Sequence, residues 1–133
     1  MGTVVLDASV LIGFLYSSDN HYSAANTAIL KYRKFGFSVP ACALAEVLVS
    51  TARQDISQVT ALRDHIAEVF GPTRVIDDDV AMAAAELRAQ HRSLRLPDAL
   101  VIATGIVDDA SVILTGDARW DGIDKRVELL GTD

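Results

Sequence analysis

Four carboxylates in this sequence occupy positions where an acid can take part in catalysis. Asp7 ends the first apolar strand, Glu46 lies inside an apolar helical run, Asp98 opens a later helix, and Asp117 follows another apolar strand. The carboxyl ends of parallel strands lie along one edge of a sheet, so we expect Asp7 and Asp117 to meet there. Converging carboxylates repel one another unless a cation lies between them, and their oxygens suit a hard divalent ion. The sequence therefore predicts a hydrolytic site that depends on Mg²⁺ or Mn²⁺.

Each of these acids also has a simpler explanation. Asp7 could cap the helix that follows it, Asp98 could complement a helix dipole, and Asp117 could belong to an ordinary turn. Glu46 is flanked by small apolar residues, which favours a side chain that points into a cleft and needs a charged partner. That partner could be a metal ion or Arg53, and an exposed surface position is the alternative for Glu46.

Other polar residues near these acids have less certain roles. The Thr115 hydroxyl could hydrogen-bond a metal ligand or a phosphate. Asp121 is a reserve ligand, because it lies close to Asp117 in the chain. The remaining acids in the predicted turns and helix N-termini are expected to be solvated: Asp77, Asp78, Asp79, Asp108, Asp109 and Asp124. The three histidines, on predicted helix surfaces, lack the spacing of a zinc site: His21, His65 and His91.

Basic residues recur just before Asp98. Arg88, Arg92 and Arg95 are spaced at i, i+4 and i+7, with His91 among them. This spacing predicts a basic stripe that leads toward Asp98 and could bind phosphates beside the site. The alternative is a solvated helix face.

The elements that must position these residues alternate between strands and helices. Apolar strands are predicted at residues 3–7, 37–39, 74–76, 111–114 and 127–130. Helices are predicted at 9–16, 21–34, 40–53, 56–70 and 97–106, with another that is capped by the acids at 77–79 and reaches about residue 91. This alternation predicts an α/β fold with a mainly parallel sheet of about five strands, flanked by helices on both faces. No linker or repeat divides residues 1–133, so we expect a single domain.

The composition limits the possible partners and location. The net charge of −6 argues against non-specific binding to nucleic acid but permits a nuclease whose acids hold a metal ion. No apolar stretch approaches the length of a membrane span, and the N-terminus lacks the features of a signal peptide. Cys42 is the only cysteine, so a reducing cytoplasm is expected. The mean hydropathy of +0.27 suggests that some apolar surface serves association.

Four motifs together resemble the PIN-domain ribonucleases, and most closely the VapC-type toxins of bacterial toxin–antitoxin modules. The motifs are Val5-Leu6-Asp7-Ala8-Ser9, Leu44-Ala45-Glu46-Val47-Leu48, Leu96-Pro97-Asp98-Ala99-Leu100 and Leu114-Thr115-Gly116-Asp117-Ala118-Arg119-Trp120. Each is weak alone, but their order and spacing are specific. The resemblance covers the chain from its first strand to its last and implies the PIN-like fold.

The resemblance implies a site and a reaction. Asp7, Glu46, Asp98 and Asp117 would be the acidic quartet that holds Mg²⁺ or Mn²⁺, and two hydroxyl residues, Ser9 and Thr115, would support it. The reaction would be hydrolysis of an RNA phosphodiester that leaves a 3′-hydroxyl and a 5′-phosphate. Toxins of the family dimerise and are silenced by a small VapB-type antitoxin, so both a homodimer and such a partner are expected.

The sequence departs from the family pattern at two positions. Trp120 stands where the family usually has Phe. Arg119 stands where some relatives carry a further acid, which weakens the case for a second ion.

Two other protein classes also use acids in an α/β fold. A haloacid-dehalogenase-like phosphatase needs a second Asp where Ser9 stands and a well-placed lysine, which Lys125 is not. A response-regulator receiver needs an acidic pair near the first strand and a lysine after the last strand, and the sequence has neither. The non-enzymatic alternative is a catalytically inactive PIN-like module that binds RNA or protein, against which the intact acids speak.

Overall fold

The sheet contains five parallel strands. In this computed structural model, which describes residues 2–131, they are β1 (Thr3–Leu6), β2 (Gly36–Pro40), β3 (Thr73–Arg74), β4 (Val112–Thr115) and β5 (Val127–Leu129). Their spatial order is β3-β2-β1-β4-β5, and each neighbouring pair runs parallel. The predicted fold class, an α/β protein with a parallel sheet of about five strands, is therefore confirmed.

Six α-helices connect and cover these strands. They are α1 (Ala8–Leu15), α2 (Tyr22–Lys31), α3 (Ala41–Gln54), α4 (Val59–Phe70), α5 (Asp78–Gln90) and α6 (Leu96–Val107). Two short 3₁₀ helices, at Ile56–Gln58 and Ala118–Trp120, complete the described elements.

Both faces of the central strand are covered. Val4, Val5 and Leu6 in β1 are each 0% exposed. Successive side chains in a strand point to opposite faces, so helices must pack against both sides of the sheet at β1. The helix α6 is also apolar on most sides, with Val101 and Ile102 in the core. The sheet edge that carries the candidate site is therefore anchored in a rigid core.

Two predicted elements differ in detail. The third strand is predicted at 74–76 but pairs with β2 at Thr73–Arg74, and the Arg74 side chain binds Asp108. The helix predicted at 56–70 is interrupted near its start, where Asp55 accepts a hydrogen bond from the backbone N–H of Ser57 and caps a short 3₁₀ turn. The cap predicted for α5 is confirmed, since the Asp77 side chain accepts from Val80 N–H.

No helix within residues 2–131 is long and apolar enough to cross a bilayer.

Candidate active site

Asp7 lies at the junction of β1 and α1, where the chain leaves the sheet. Its backbone N–H donates to the carbonyl of Leu114 at 3.0 Å, and its own carbonyl accepts from Val10 N–H. The side chain does not cap α1 and is only 7% exposed. Burial raises the pKa of Asp7, and the charge of Asp98 raises it further. The carboxylate therefore stands in surroundings that oppose its own negative charge.

Two hydroxyl groups hold the Asp7 carboxylate in place. Ser9 Oγ donates to Asp7 Oδ2 at 2.7 Å and accepts from Gly116 N–H at 2.9 Å. Thr115 Oγ1 donates to the same oxygen at 2.8 Å and accepts from Asp117 N–H at 3.0 Å. Each hydroxyl thus links the carboxylate to a backbone amide of the loop after β4. These bonds favour the ionised carboxylate and partly oppose the effect of its burial.

Asp98 lies in the first turn of α6 and is 6% exposed. Pro97 precedes it in the same first turn, where the missing N–H has no consequence. Arg95, just before the helix, donates through Nε to Asp98 Oδ2 at 3.1 Å. The guanidinium remains largely exposed, so this ion pair lies at the mouth of the site.

Glu46 lies on α3, and its side chain is exposed rather than enclosed. It is nevertheless close to the other acids. Partial burial raises the pKa of Glu46, and the charges of Asp7 and Asp98 raise it further. The cation that acts on it is Arg95, and the suggested partner Arg53 has no such effect. Three of the four predicted acids therefore share one electrostatic environment.

Asp117 is attached to this group through its backbone, but its carboxylate faces Arg119. Arg119 Nη2 donates to Asp117 Oδ2 at 2.7 Å, and Arg119 Nε donates to Oδ1 at 3.0 Å. This ion pair lowers the pKa of Asp117. The reserve ligand Asp121 is exposed beyond the 3₁₀ turn and, within residues 2–131, lies outside the hydrogen-bond network of the acids.

The donor set fits a hard divalent cation in its chemistry. The groups are carboxylate oxygens, and Asp7 and Asp98 are buried close enough to repel each other. Among the described residues, however, no three side chains of His, Cys, Asp or Glu are already grouped as a metal site. Arg95 and Arg119 instead pair with two of the carboxylates, in positions that a cation would compete for.

Cys42 lies one turn before Glu46 on α3. Its burial raises the pKa of the thiol to about 11, with smaller contributions from the charges of Glu46 and Asp7. The thiol therefore stays protonated near neutral pH, and the oxygen ligands remain the ones suited to an ion.

The three arginines do not form one helical stripe. The helix α5 ends at Gln90, so only Arg88 lies on it. Arg88 donates through Nε to the Leu94 carbonyl at 2.8 Å and thereby closes the turn between α5 and α6. Arg92 is exposed in that turn, and Arg95 reaches Asp98. Of the three residues, Arg95 is the one that the structure brings to the acids.

His21 is a residue of this region that sequence reasoning missed. It precedes α2 and lies against Gly116 rather than on a helix surface: a Cβ atom at position 116 would lie 2.8 Å from His21 Nε2. Its partner is Asp19, with Nδ1 at 3.7 Å from Asp19 Oδ2. The glycine in the Thr115-Gly116-Asp117 motif was the available signal, because a missing side chain often permits a close approach.

Comparison with known proteins identifies the family. The sequence profile of the PIN domain matches residues 4–126, so the chain belongs to the PIN domain family. A comparison with curated protein sequences gives no match.

Solved structures share the fold at low sequence identity. A toxin–antitoxin complex from Klebsiella pneumoniae is 24% identical, with a TM-score of 0.70 over 94% of this chain and 95% of the other. VapBC2 from Rickettsia felis, bound to a DNA fragment from its promoter, is 14% identical, with a TM-score of 0.75 over 96% and 98%. VapC20 from Mycobacterium tuberculosis, a toxin that cleaves the sarcin–ricin loop, is 15% identical, with a TM-score of 0.64 over 83% and 86%.

Proposed function

We propose that this protein is an endoribonuclease that requires Mg²⁺ or Mn²⁺ and hydrolyses RNA phosphodiesters. The observation that carries the proposal is the buried, mutually repelling pair Asp7 and Asp98, with Glu46 beside them, in a PIN domain. Buried like charges persist in a folded protein when a ligand of opposite charge compensates them. The solved relative VapC20, a toxin that cleaves RNA in the sarcin–ricin loop, supports the choice of RNA as substrate.

The four acids have distinct roles in this proposal. Asp7 and Asp98 would hold the ion directly, and Glu46 and Asp117 would hold it directly or through water. A bound divalent ion supplies polarisation of the scissile phosphate and a more nucleophilic water at neutral pH.

The surrounding residues prepare these acids for that role. Ser9 and Thr115 fix the orientation of the Asp7 carboxylate and hold two hydroxyl protons toward its Oδ2 atom. Arg95 and Arg119 are exposed at the mouth of the site and can exchange their carboxylate partners for the RNA phosphates. Once they bind phosphates, the two guanidinium groups would place positive charge at the RNA backbone. Such local positive charge would attract RNA to a protein whose net charge is −6.

We further propose that this nuclease is the toxin of a type II toxin–antitoxin pair. Structures of the same fold contain a toxin bound to its antitoxin. Exposed apolar side chains on α2 and α3, including Tyr22, Leu30 and Val49, offer a surface for a small VapB-type antitoxin. The protein is further proposed to form a homodimer and to act in the cytoplasm.

One observation favours the alternative of an inactive PIN-like module that binds RNA or protein. Asp98 and Asp117 are both engaged by arginines, which neutralise two of the acids without a metal ion. A protein that had lost hydrolysis could use the same ion pairs to stabilise an empty pocket.

Cleavage of total RNA by partner-free protein separates the two functions. The assay compares Mg²⁺, Mn²⁺ and EDTA for the wild type and Asp98→Asn, with the exposed Asp121→Asn as the matched control. Cuts that need metal, disappear in Asp98→Asn and persist in Asp121→Asn support the nuclease. Intact RNA in every lane, with RNA still bound, would support the inactive module.

A further inference from the structure

Two glycines from different parts of the fold leave room for the same histidine. A Cβ atom at Gly13, within α1, would lie 3.0 Å from His21 Cβ, and 3.1 Å from both the His21 carbonyl oxygen and Ala25 Cβ. A Cβ atom at Gly116, in the loop after β4, would lie 2.8 Å from His21 Nε2. A side chain at either position would therefore push His21 away from the place that it occupies.

Neither glycine is required by the conformation of its own backbone. Gly13 and Gly116 both lack the left-handed φ that favours glycine, which Gly71 and Gly122 have. Gly13 also lies inside a helix, where glycine is less favourable than alanine. Close contact with a neighbour accounts for both missing side chains, and His21 is the neighbour that the two positions share.

The imidazole ring of His21 lies flat against Gly116. The distances from the Cβ position at residue 116 to Nε2, Cε1 and Cδ2 are 2.8, 2.9 and 3.1 Å, so the face of the ring makes the contact and not one corner. Asp19 Oδ2 accepts from the backbone N–H of His21 at 2.9 Å and lies 3.7 Å from Nδ1. The ring therefore lies between Asp19 at one edge and Gly116 at one face, while 41% of the side chain stays exposed.

Gly116 directly precedes Asp117, the proposed ion ligand on this loop. Glycine has more backbone freedom than any other residue, so its neighbours must fix its conformation. The Gly116 N–H donates to Ser9 Oγ at 2.9 Å. The imidazole of His21 covers the α-carbon of the same residue, so the hydroxyl and the ring together limit its movement.

The present partner of the Asp117 carboxylate cannot hold it while an ion is bound. That partner, Arg119, is 71% exposed and would have to yield to the ion. The position of the carboxylate then depends on the backbone before it. Thr115 accepts from the Asp117 N–H, and the contact between His21 and Gly116 limits rotation one residue earlier.

We propose that His21 is a positioning residue of the active site, whose imidazole holds Gly116 and thereby keeps the Asp117 carboxylate where it can reach the ion. The inference rests on the proposed metal-dependent nuclease and adds to it a residue that acts without touching the ion. The ring acts through its shape, because it meets Gly116 by van der Waals contact. A flat side chain of another type should therefore be able to replace it.

Amide hydrogen exchange of the metal-free protein tests whether the ring holds the loop. His21→Ala should accelerate exchange at the Gly116 and Asp117 amides several-fold, because exchange requires local opening of their hydrogen bonds. The Val5 amide, in the buried strand β1, should exchange as in the wild type. His65→Ala, which changes an exposed histidine on α4, is the matched control and should alter neither. Unchanged exchange at both loop amides in His21→Ala overturns the proposal.

Calorimetric titration of Mn²⁺ without RNA tests the consequence for the ion. Affinity should fall on the order of tenfold in His21→Ala, the scale expected when a group that orients a metal ligand is removed. It should stay near the wild-type level in His21→Phe, which keeps a flat ring, and in His65→Ala. Thermal unfolding verifies that the variants are folded. Unchanged affinity in His21→Ala, or an equal loss in His21→Phe, contradicts the positioning role.

A double-mutant cycle tests the contact itself. Gly116→Ala alone should weaken Mn²⁺ binding, because its methyl group must displace either the ring or the loop. The same methyl group has room once the ring is gone, so the double variant with His21→Ala should bind Mn²⁺ no more weakly than His21→Ala alone. Losses that multiply in the double variant would show that the two residues act independently, against the proposal.

Failure of this inference differs from failure of the proposed function. A wild type that binds no Mn²⁺ refutes the metal-dependent nuclease and with it the role given to His21. A wild type that binds Mn²⁺ and cleaves RNA, with His21→Ala equal to it in exchange and in affinity, refutes the positioning role alone.

Discussion

The Thr115 hydroxyl donates a hydrogen bond of 2.8 Å to Asp7 Oδ2, although the two residues are 108 positions apart. The contact arises because β1 and β4 pair in parallel, so their carboxyl ends lie side by side. The same hydroxyl accepts from Asp117 N–H at 3.0 Å. One buried threonine thus positions both the central carboxylate and the loop that carries another predicted ligand.

Thr115→Val should impair both the site and the fold. Valine keeps the shape but removes the donor to Asp7 and leaves Asp117 N–H unpaired, which should lower the free energy of unfolding by about 1–3 kcal/mol. Divalent-ion affinity should fall as well. Thr104→Val is the matched control, since Thr104 is equally buried but donates only to the Leu100 carbonyl within α6. Equal ion affinity in both variants would contradict the role given to Thr115.

Asp7→Asn should stabilise the metal-free protein while it removes activity. The raised pKa of Asp7 means that its charge opposes folding, and the asparagine oxygen can still accept from Ser9 and Thr115. The free energy of unfolding in EDTA at pH 7 should rise by an amount on the order of 1 kcal/mol. Urea denaturation measures this change, and the exposed Asp121→Asn should show almost none. A destabilised Asp7→Asn protein would show that the charge is already compensated.

The stabilisation by Asp7→Asn should depend on pH in a defined direction. The pKa of Asp7 is raised in the folded state, so ionisation of this group destabilises folding above that pKa. The penalty fades as the pH falls through the folded-state pKa and is absent below the unfolded-state value of about 3.9. The difference in unfolding free energy between variant and wild type, measured in EDTA, should therefore shrink toward acid pH. If this difference instead widened toward acid pH, the pKa of Asp7 would be lowered in the folded state and not raised.

Arg119→Gln should strengthen ion binding. Removal of the guanidinium frees Asp117, and exposed ion pairs contribute at most about 1 kcal/mol, so Mn²⁺ affinity should rise by up to about fivefold. Electron paramagnetic resonance of free Mn²⁺ provides the measurement. Arg63→Gln is the control, because Arg63 pairs with Asp64 on the exposed side of α4. If Arg119→Gln weakened ion binding, Arg119 would be supporting the site instead of competing with the ion.

The sequence contained the information that brings β1 and β4 together. Their short apolar runs identify buried parallel strands, and the position of Asp7 and Thr115 at the strand ends follows from local order along the chain. Glycine before Asp117 also marks the turn. These features could be predicted because they depend on the periodicity of apolar residues and on the residues adjacent in the sequence.

Contacts between side chains on different loops could not be predicted from the sequence in this way. The position of His21 over Gly116 depends on how α2 returns to the sheet, and the pairing of Arg119 with Asp117 depends on the shape of one 3₁₀ turn. The exposure of Glu46 likewise depends on how α3 is rotated against its neighbours. Such details are set by tertiary packing, which overrides local pattern.

Calorimetric titration of Mn²⁺ into the metal-free protein tests most directly whether acids from distant parts of the chain form one cation site. The wild type, Asp7→Asn, Asp98→Asn and the exposed control Asp121→Asn are compared at pH 7. The account predicts a specific binding event in the wild type and Asp121→Asn that is lost in both Asp7→Asn and Asp98→Asn. Binding that persists unchanged in Asp7→Asn and Asp98→Asn, or is absent from the wild type, would contradict the metal site on which the proposed nuclease depends.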